Sequence, residues 1–127
     1  MIARHNVEAG YSTWRYILNA SFPNTQAFPA GGAYHGTQIQ LVRGTYPAVG
    51  VTAQEFALSN YMQAAWAGFA KNPLLGPGWN QVRSFGGVDV GVLGEDGSGG
   101  VTVVDAKEVD GRCGLYARAY ERMRVFR

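Results

Sequence analysis

The segment YSTWRYILN, Tyr11 to Asn19, is dense in aromatic and branched side chains. Trp14, Tyr16 and Leu18 alternate with Thr13, Arg15 and Ile17. Alternation marks a strand, and Ile17 makes the second face apolar as well. A strand of this kind is expected to be largely buried on both faces, as parallel or central strands are. It needs neighbours, and the remaining sequence offers few. This points to a piece of something larger.

Outward from that strand, Ala20 to Ala33 holds Pro23, Asn24, Pro29, Gly31 and Gly32 and reads as a loop. Tyr34-His35-Gly36 follows, then a short helix or turn through Ile39, Leu41 and Val42 that ends at Gly44. The clearest element is a helix from Thr52 to Asn72. Thr52 and Glu55 fit a capping box, and Val51 and Phe56 fit a hydrophobic staple. Leu58, Tyr61, Met62, Ala65, Trp66 and Phe69 fall on one helical face. Asn72-Pro73 stops it, because proline disfavours the helical state of the preceding residue.

Leu74 to Trp79 reads as a tight loop. Val88, Val90 and Val92 alternate with Asp89 and Gly91 as in a half-exposed strand, and Val101 to Asp105 is a second strand. With GEDGSGG (Gly94 to Gly100) between them, these form a β-hairpin with a glycine-rich tip. Asp110 is expected to cap a last helix from about Gly111 to Met123.

Composition narrows the function classes. The chain has 127 residues, 46% hydrophobic and 16% charged, which suits one folded domain and argues against disorder. Eleven basic and 9 acidic residues leave a net charge of +2 with no basic stripe, so no nucleic-acid partner is expected. No apolar run approaches the ~18 residues that cross a bilayer, so no stable membrane insertion is expected. Met1 to Gly10 lacks the apolar core of a secretory signal. Read literally, the chain would stay in the cytosol, but that assumes Met1 is a true start, and localisation is left open. The single cysteine, Cys113, excludes an internal disulfide and a multi-cysteine metal site.

Few residues carry chemistry. The two histidines, His5 and His35, are read as lacking acidic or imidazole partners at metal-ligating spacing, so no metal and no cofactor are expected. His5 reads as a solvated terminal residue. His35 lies on the glycine-flanked loop AGGAYHGT, where sharp turns can hold an imidazole outward. The residues alone still favour a structural or surface histidine there. GEDGSGG lacks a P-loop lysine and leads into a strand, so it reads as a hairpin turn. None of the five serines, Ser12, Ser21, Ser59, Ser84 and Ser98, sits in G-x-S-x-G, so no nucleophile elbow is present. Cys113 reads as a buried thiol or half of a disulfide. Asn19-Ala20-Ser21 fits a glycosylation acceptor, a pattern common by chance.

Four ordered blocks carry a resemblance. WRYILNASFPN (Trp14 to Asn24), GAYHGTQIQLVRGT (Gly32 to Thr45), LSNYMQAAWAGFAKNP (Leu58 to Pro73) and GPGW (Gly76 to Trp79) resemble the C-terminal part of type-B carboxylesterases, most of all the fungal branch. The match runs on to DGRCGLYARAYE (Asp110 to Glu121). The resemblance implies an α/β-hydrolase fold, here the last strands and helices of a mixed, mostly parallel sheet. Residues 1–127 would form one partial domain. It also implies ester hydrolysis by a Ser-Glu-His triad, with His35 as the general base and then general acid. The family usually has glutamate three residues after that histidine, where this chain has Gln38. The family's nucleophile, triad acid and oxyanion glycines lie upstream of anything in this chain. The chain alone is therefore expected to be inactive toward small carboxylic esters, and its natural partner would be the missing N-terminal part of its own domain. The alternative is a short non-catalytic remnant that binds a partner through an uncovered sheet edge.

Overall fold

A computed structural model describes residues 2–83, 89–111, 113, 114 and 116. The sheet has three strands: β1 (Tyr16–Leu18), β2 (Asp89–Leu93) and β3 (Val101–Asp105), in that order. β1 runs parallel to β2, with Ile17 opposite Val92, and β2 runs antiparallel to β3, with Gly91 opposite Val103. Four helices accompany it: α1 (Ile2–Glu8), α2 (Gln38–Arg43), α3 (Ala53–Lys71) and α4 (Ala106–Asp110). None of the described helices is long and apolar enough to cross a membrane.

The segment Tyr11–Asn19 is less buried than its sequence suggests. Only Tyr16 to Leu18 are strand, and Tyr16 and Ile17 are 40% and 41% exposed. The reason is position: among the described residues β1 is the outer strand and pairs on one side only. Its alternation still sorts the two faces. Tyr16 stands edge-on to Trp66 of α3, with ring centroids 5.0 Å apart, and Trp14 stands edge-on to Phe69 at 5.3 Å. Such pairs add about 0.5–1.5 kcal/mol beyond area burial.

The hairpin forms as the sequence indicates, but β2 is not half-exposed. It is the central strand, and Val90, Val92 and Leu93 are all buried. Val88 lies outside the described residues. Gly91 is where Trp79 lies against the sheet: a Cβ there would come within 2.9 Å of the indole. The glycine thus marks a covered face where the alternation suggested a solvated one. At the hairpin tip Gln54 of α3 donates to the carbonyls of Gly94 and Ser98, tying the turn to the helix.

α3 supplies the core. Leu58 and Met62 have no exposure, and Ala20, Phe22, Leu41, Trp79 and Leu93 close around them. Burying each such side chain contributes about 1.5–3 kcal/mol. Only half of the expected capping box is present. The Glu55 N–H donates to Thr52 Oγ1 at 3.0 Å, while the Glu55 carboxylate turns inward to Asn24. The staple residue Phe56 stays 58% exposed.

Both ends of the chain depart from expectation. His5, which reads as a solvated terminal residue, is exposed as expected, but it lies in α1, where its Nδ1 is 3.3 Å from Glu8 Oε2. His5 therefore does have an acidic neighbour three residues on, one helical turn away. Among the described residues no three His, Cys, Asp or Glu side chains gather as a metal site. At the other end, Asp105 caps α4 by accepting from the Lys107 N–H. Asp110 instead takes both arms of the Arg15 guanidinium, at 2.6 and 2.7 Å. The helix expected over Gly111–Met123 lies mostly outside the described residues. Cys113, which reads as a buried thiol or half of a disulfide, is exposed, which excludes the buried reading.

Two measurements test this packing. Gly94 has φ +77°, and a Cβ there would meet Ala20 Cβ at 2.5 Å and Leu58 at 2.8 Å. Gly97 has φ +79° but open space around it. Gly94→Ala should cost about 3 kcal/mol or more in urea unfolding, and Gly97→Ala only the ~1 kcal/mol of left-handed strain. The Arg15 hydrogen bonds hold the Asp110 carboxyl below its ordinary 3.8, against the opposing effect of partial burial. A lowered folded-state value means the pair's stabilisation is present above the unfolded-state value and is lost as pH falls through the folded one. Carboxyl NMR titration should show Asp110 titrating low, and Arg15→Ala should return it toward the ordinary value.

Candidate functional site

The loop that leaves the carboxyl end of β1 carries His35. It begins with the buried Ala20 and Phe22, which anchor it in the core. Pro23–Thr25 forms one 3-10 turn, the only helical break in a segment read as pure loop. Gln26 then donates to Ser21 Oγ at 2.9 Å and to the Gly32 carbonyl at 3.1 Å, drawing the loop into a compact shape. Phe28 stacks on Tyr34 at 5.3 Å, and the Tyr34 hydroxyl accepts from the Ala27 N–H.

Tyr34-His35-Gly36-Thr37 is a β-turn. The Tyr34 carbonyl accepts from the Thr37 N–H at 3.2 Å and from Thr37 Oγ1 at 2.8 Å. Gly36 has φ +94°, which the third position of a type II turn requires and glycine adopts freely. His35 is the second residue of that turn, and its side chain is exposed. It makes no hydrogen bond to any described residue. Gln38 opens α2 directly afterwards, and α2 ends on Gly44 at φ 63°, as its glycine indicated.

What fastens this region lies on α3, and the sequence reading passed over it. Glu55, Ser59 and Gln63 recur every fourth residue and so share one face of the helix. Glu55 accepts from Asn24 Nδ2 at 3.0 Å. Ser59 Oγ donates to the Leu41 carbonyl of α2 at 2.7 Å and accepts from Gln63 Nε2 at 3.0 Å. Glu55 and Ser59 are fully buried. Four-residue spacing of polar groups beside the apolar face was the available signal. It was masked because Glu55 already had an explanation as a cap.

The chemistry open to this arrangement is limited. His35 can exchange a proton with a group brought to it, but no described serine, cysteine or carboxylate bonds to it. Two concavities lie elsewhere. One of about 290 Å³ runs beside β1 among Trp14, Tyr16, Trp66, Phe69 and Trp79. Another of about 440 Å³ lies along Ser21, Gln26, Phe28 and Pro29. His35 lines neither.

Known proteins are similar to this chain in sequence and in shape. Secreted lipase 5 of Gibberella zeae is 35% identical over 85 residues, which cover 64% of this chain and 16% of the lipase. Chlorogenic acid esterase of Aspergillus niger is 35% identical over 71 residues, 54% of this chain and 14% of the esterase. These matches support a likeness to the type-B carboxylesterases. No family model matches the chain. The chain spans about a sixth of the length of these curated relatives. Its fold agrees: it superposes on a PNB esterase with TM-score 0.62 at 22% identity, over 83% of this chain and 21% of that one. A thermophilic PNB esterase gives 0.61 at 21% identity, over 83% and 22%. The three-stranded sheet is thus part of an α/β-hydrolase fold.

The polar contacts on α3 set one expectation. Ser59→Ala removes a buried donor and leaves the Gln63 amide without its acceptor. It should cost about 1–2 kcal/mol, read as a lower urea midpoint at unchanged slope.

Proposed function

We propose that residues 1–127 are part of one hydrolase domain, in which His35 is the general base and then the general acid of a serine esterase. One observation carries this reading. His35 is held at the second position of a glycine-dependent turn, exposed and with no partner among the described residues, on the loop that leaves the carboxyl end of a parallel strand. Ligands of open α/β sheets bind at that edge. A turn of this kind presents an imidazole to a nucleophile supplied from outside the described segment.

The substrate class is a small carboxylic ester, as the names of the lipase and esterase relatives suggest. The partner is the rest of the same domain, which would pair with the free side of β1. Export of the whole protein is consistent with one relative being named a secreted lipase. The segment by itself should be inactive. Loss of any triad member costs several orders of magnitude, and a missing oxyanion hole a further ~10²–10³.

The exposed outer side of β1 also supports a second reading, a non-catalytic chain that binds through that edge. The two readings part in one experiment. Residues 11–79 replace the matching segment of the Aspergillus niger chlorogenic acid esterase, with His35 intact or as His35→Ala, and hydrolysis of chlorogenic acid is measured. The catalytic reading expects turnover with His35 and a fall in kcat of about 10³-fold or more with alanine. It also expects no turnover by the 127-residue chain alone. An active graft indifferent to His35→Ala would overturn it and leave the binding reading.

A further inference from the structure

The loop from Asn24 to Pro47 has His35 near its middle, and its two ends meet at a single amide. Asn24 Nδ2 donates to the Pro47 carbonyl at 3.1 Å and to Glu55 Oε1 at 3.0 Å. Pro47 is the far end of the loop, and Glu55 belongs to α3. One side chain therefore closes the loop on itself and pins the closure to the helix. Glu55 has no exposure, and Asn24 is its only side-chain partner among the described residues.

A fully buried carboxylate is an expensive way to cap a helix. Burying a carboxylate is costly unless it is hydrogen-bonded, and an exposed side chain at this position would serve the helix dipole as well. The outward cap is already made by Thr52 Oγ1. Only Glu55 Oε1 has a partner, and Oε2 is buried without one among the described residues. What partial burial of the Asn24 contact adds is strength there, since a hydrogen bond is stronger with less water around it. One turn further on, Ser59 grips α2 at the Leu41 carbonyl. His35 thus lies between two points, Asn24 and Leu41, that are both fastened to the buried face of α3.

We infer that Glu55 is a positioning residue for His35. Through Asn24 it closes the Asn24–Pro47 loop and limits the orientations the His35 turn can take. Catalytic value for this device rests on the reading of His35 as the base. The mechanical claim does not, because closing a loop at its base removes conformers whatever the loop carries.

Amide hydrogen exchange on the full 127-residue chain tests it without reference to turnover. The reporters are Thr37 and Ile39, whose N–H groups bond to the Tyr34 and Gly36 carbonyls and so define the His35 turn. Met62, buried in α3, is the control. Glu55→Ala and Asn24→Ala should each speed exchange at Thr37 and Ile39 about tenfold, with Met62 unchanged. Glu55→Gln keeps an acceptor for Asn24 and should stay within about threefold of the parent chain. The double variant should be no worse than either single one, because the two residues act as a unit. Unchanged exchange at Thr37 and Ile39 in a folded variant would overturn the inference. So would a rise matched at Met62, which would mark general loosening. If Glu55→Ala does not fold, Asn24→Ala decides by the same criteria. Failure here leaves the His35 reading standing, and failure of the His35→Ala graft leaves this one standing.

Discussion

Leu58 and Met62 share the inward side of α3 with Glu55 and Ser59, and all four are fully buried. The rest of the described structure is arranged around that face. The apolar pair gathers Ala20 and Phe22 from the loop after β1, Leu41 from α2, and Leu93 from the central strand. The polar pair reaches past the core to hold the loop and α2 through hydrogen bonds. Packing contributes most of the energy, because apolar burial is proportional to area and several large side chains are involved. The hydrogen bonds contribute less but are directional, so they select one loop arrangement among the many that the packing would tolerate.

The same helix also carries an aromatic stripe. Trp66 and Phe69 lie against Tyr16 and Trp14, and Trp79 joins them from the loop after α3. These rings line the open concavity beside β1. Among the described residues β1 is an outer strand with Tyr16 and Ile17 exposed and an apolar concavity at its flank. The chain spans about a sixth of its relatives' length, and 83% of it superposes on a PNB esterase. Arg15 and Asp110 act as a clasp at the opposite end of β1, joining residues remote in sequence by a two-armed ion pair.

Local signals were legible where one residue type has one physical use. Thr52 and Pro73 bounded α3, Gly44 ended α2, and alternating valines with a glycine-rich tip marked the hairpin. Gly36 after His35 pointed to a sharp turn, and the turn is there. Signals failed where a side chain has two uses. Glu55 satisfied a capping rule and was not suspected of reaching inward. Asp110 had the right chemistry for a helix cap and bonds to Arg15, 95 residues away in sequence. Gly91 looked like a solvated gap in a strand and is the seat of Trp79.

By itself the sequence determined the elements and their ends, because capping, proline and glycine effects act over a few residues. It also carried the family resemblance, because ordered blocks of residues survive when distances are unknown. Burial belonged to the tertiary structure. Whether β1 is covered depends on which strands flank it, and only the sheet order makes it the outer strand. The fastening of the His35 loop was decided there too. Asn24, Pro47 and Glu55 have no local pattern in common, and only folding brings one amide within hydrogen-bonding distance of both a carbonyl and a buried carboxylate.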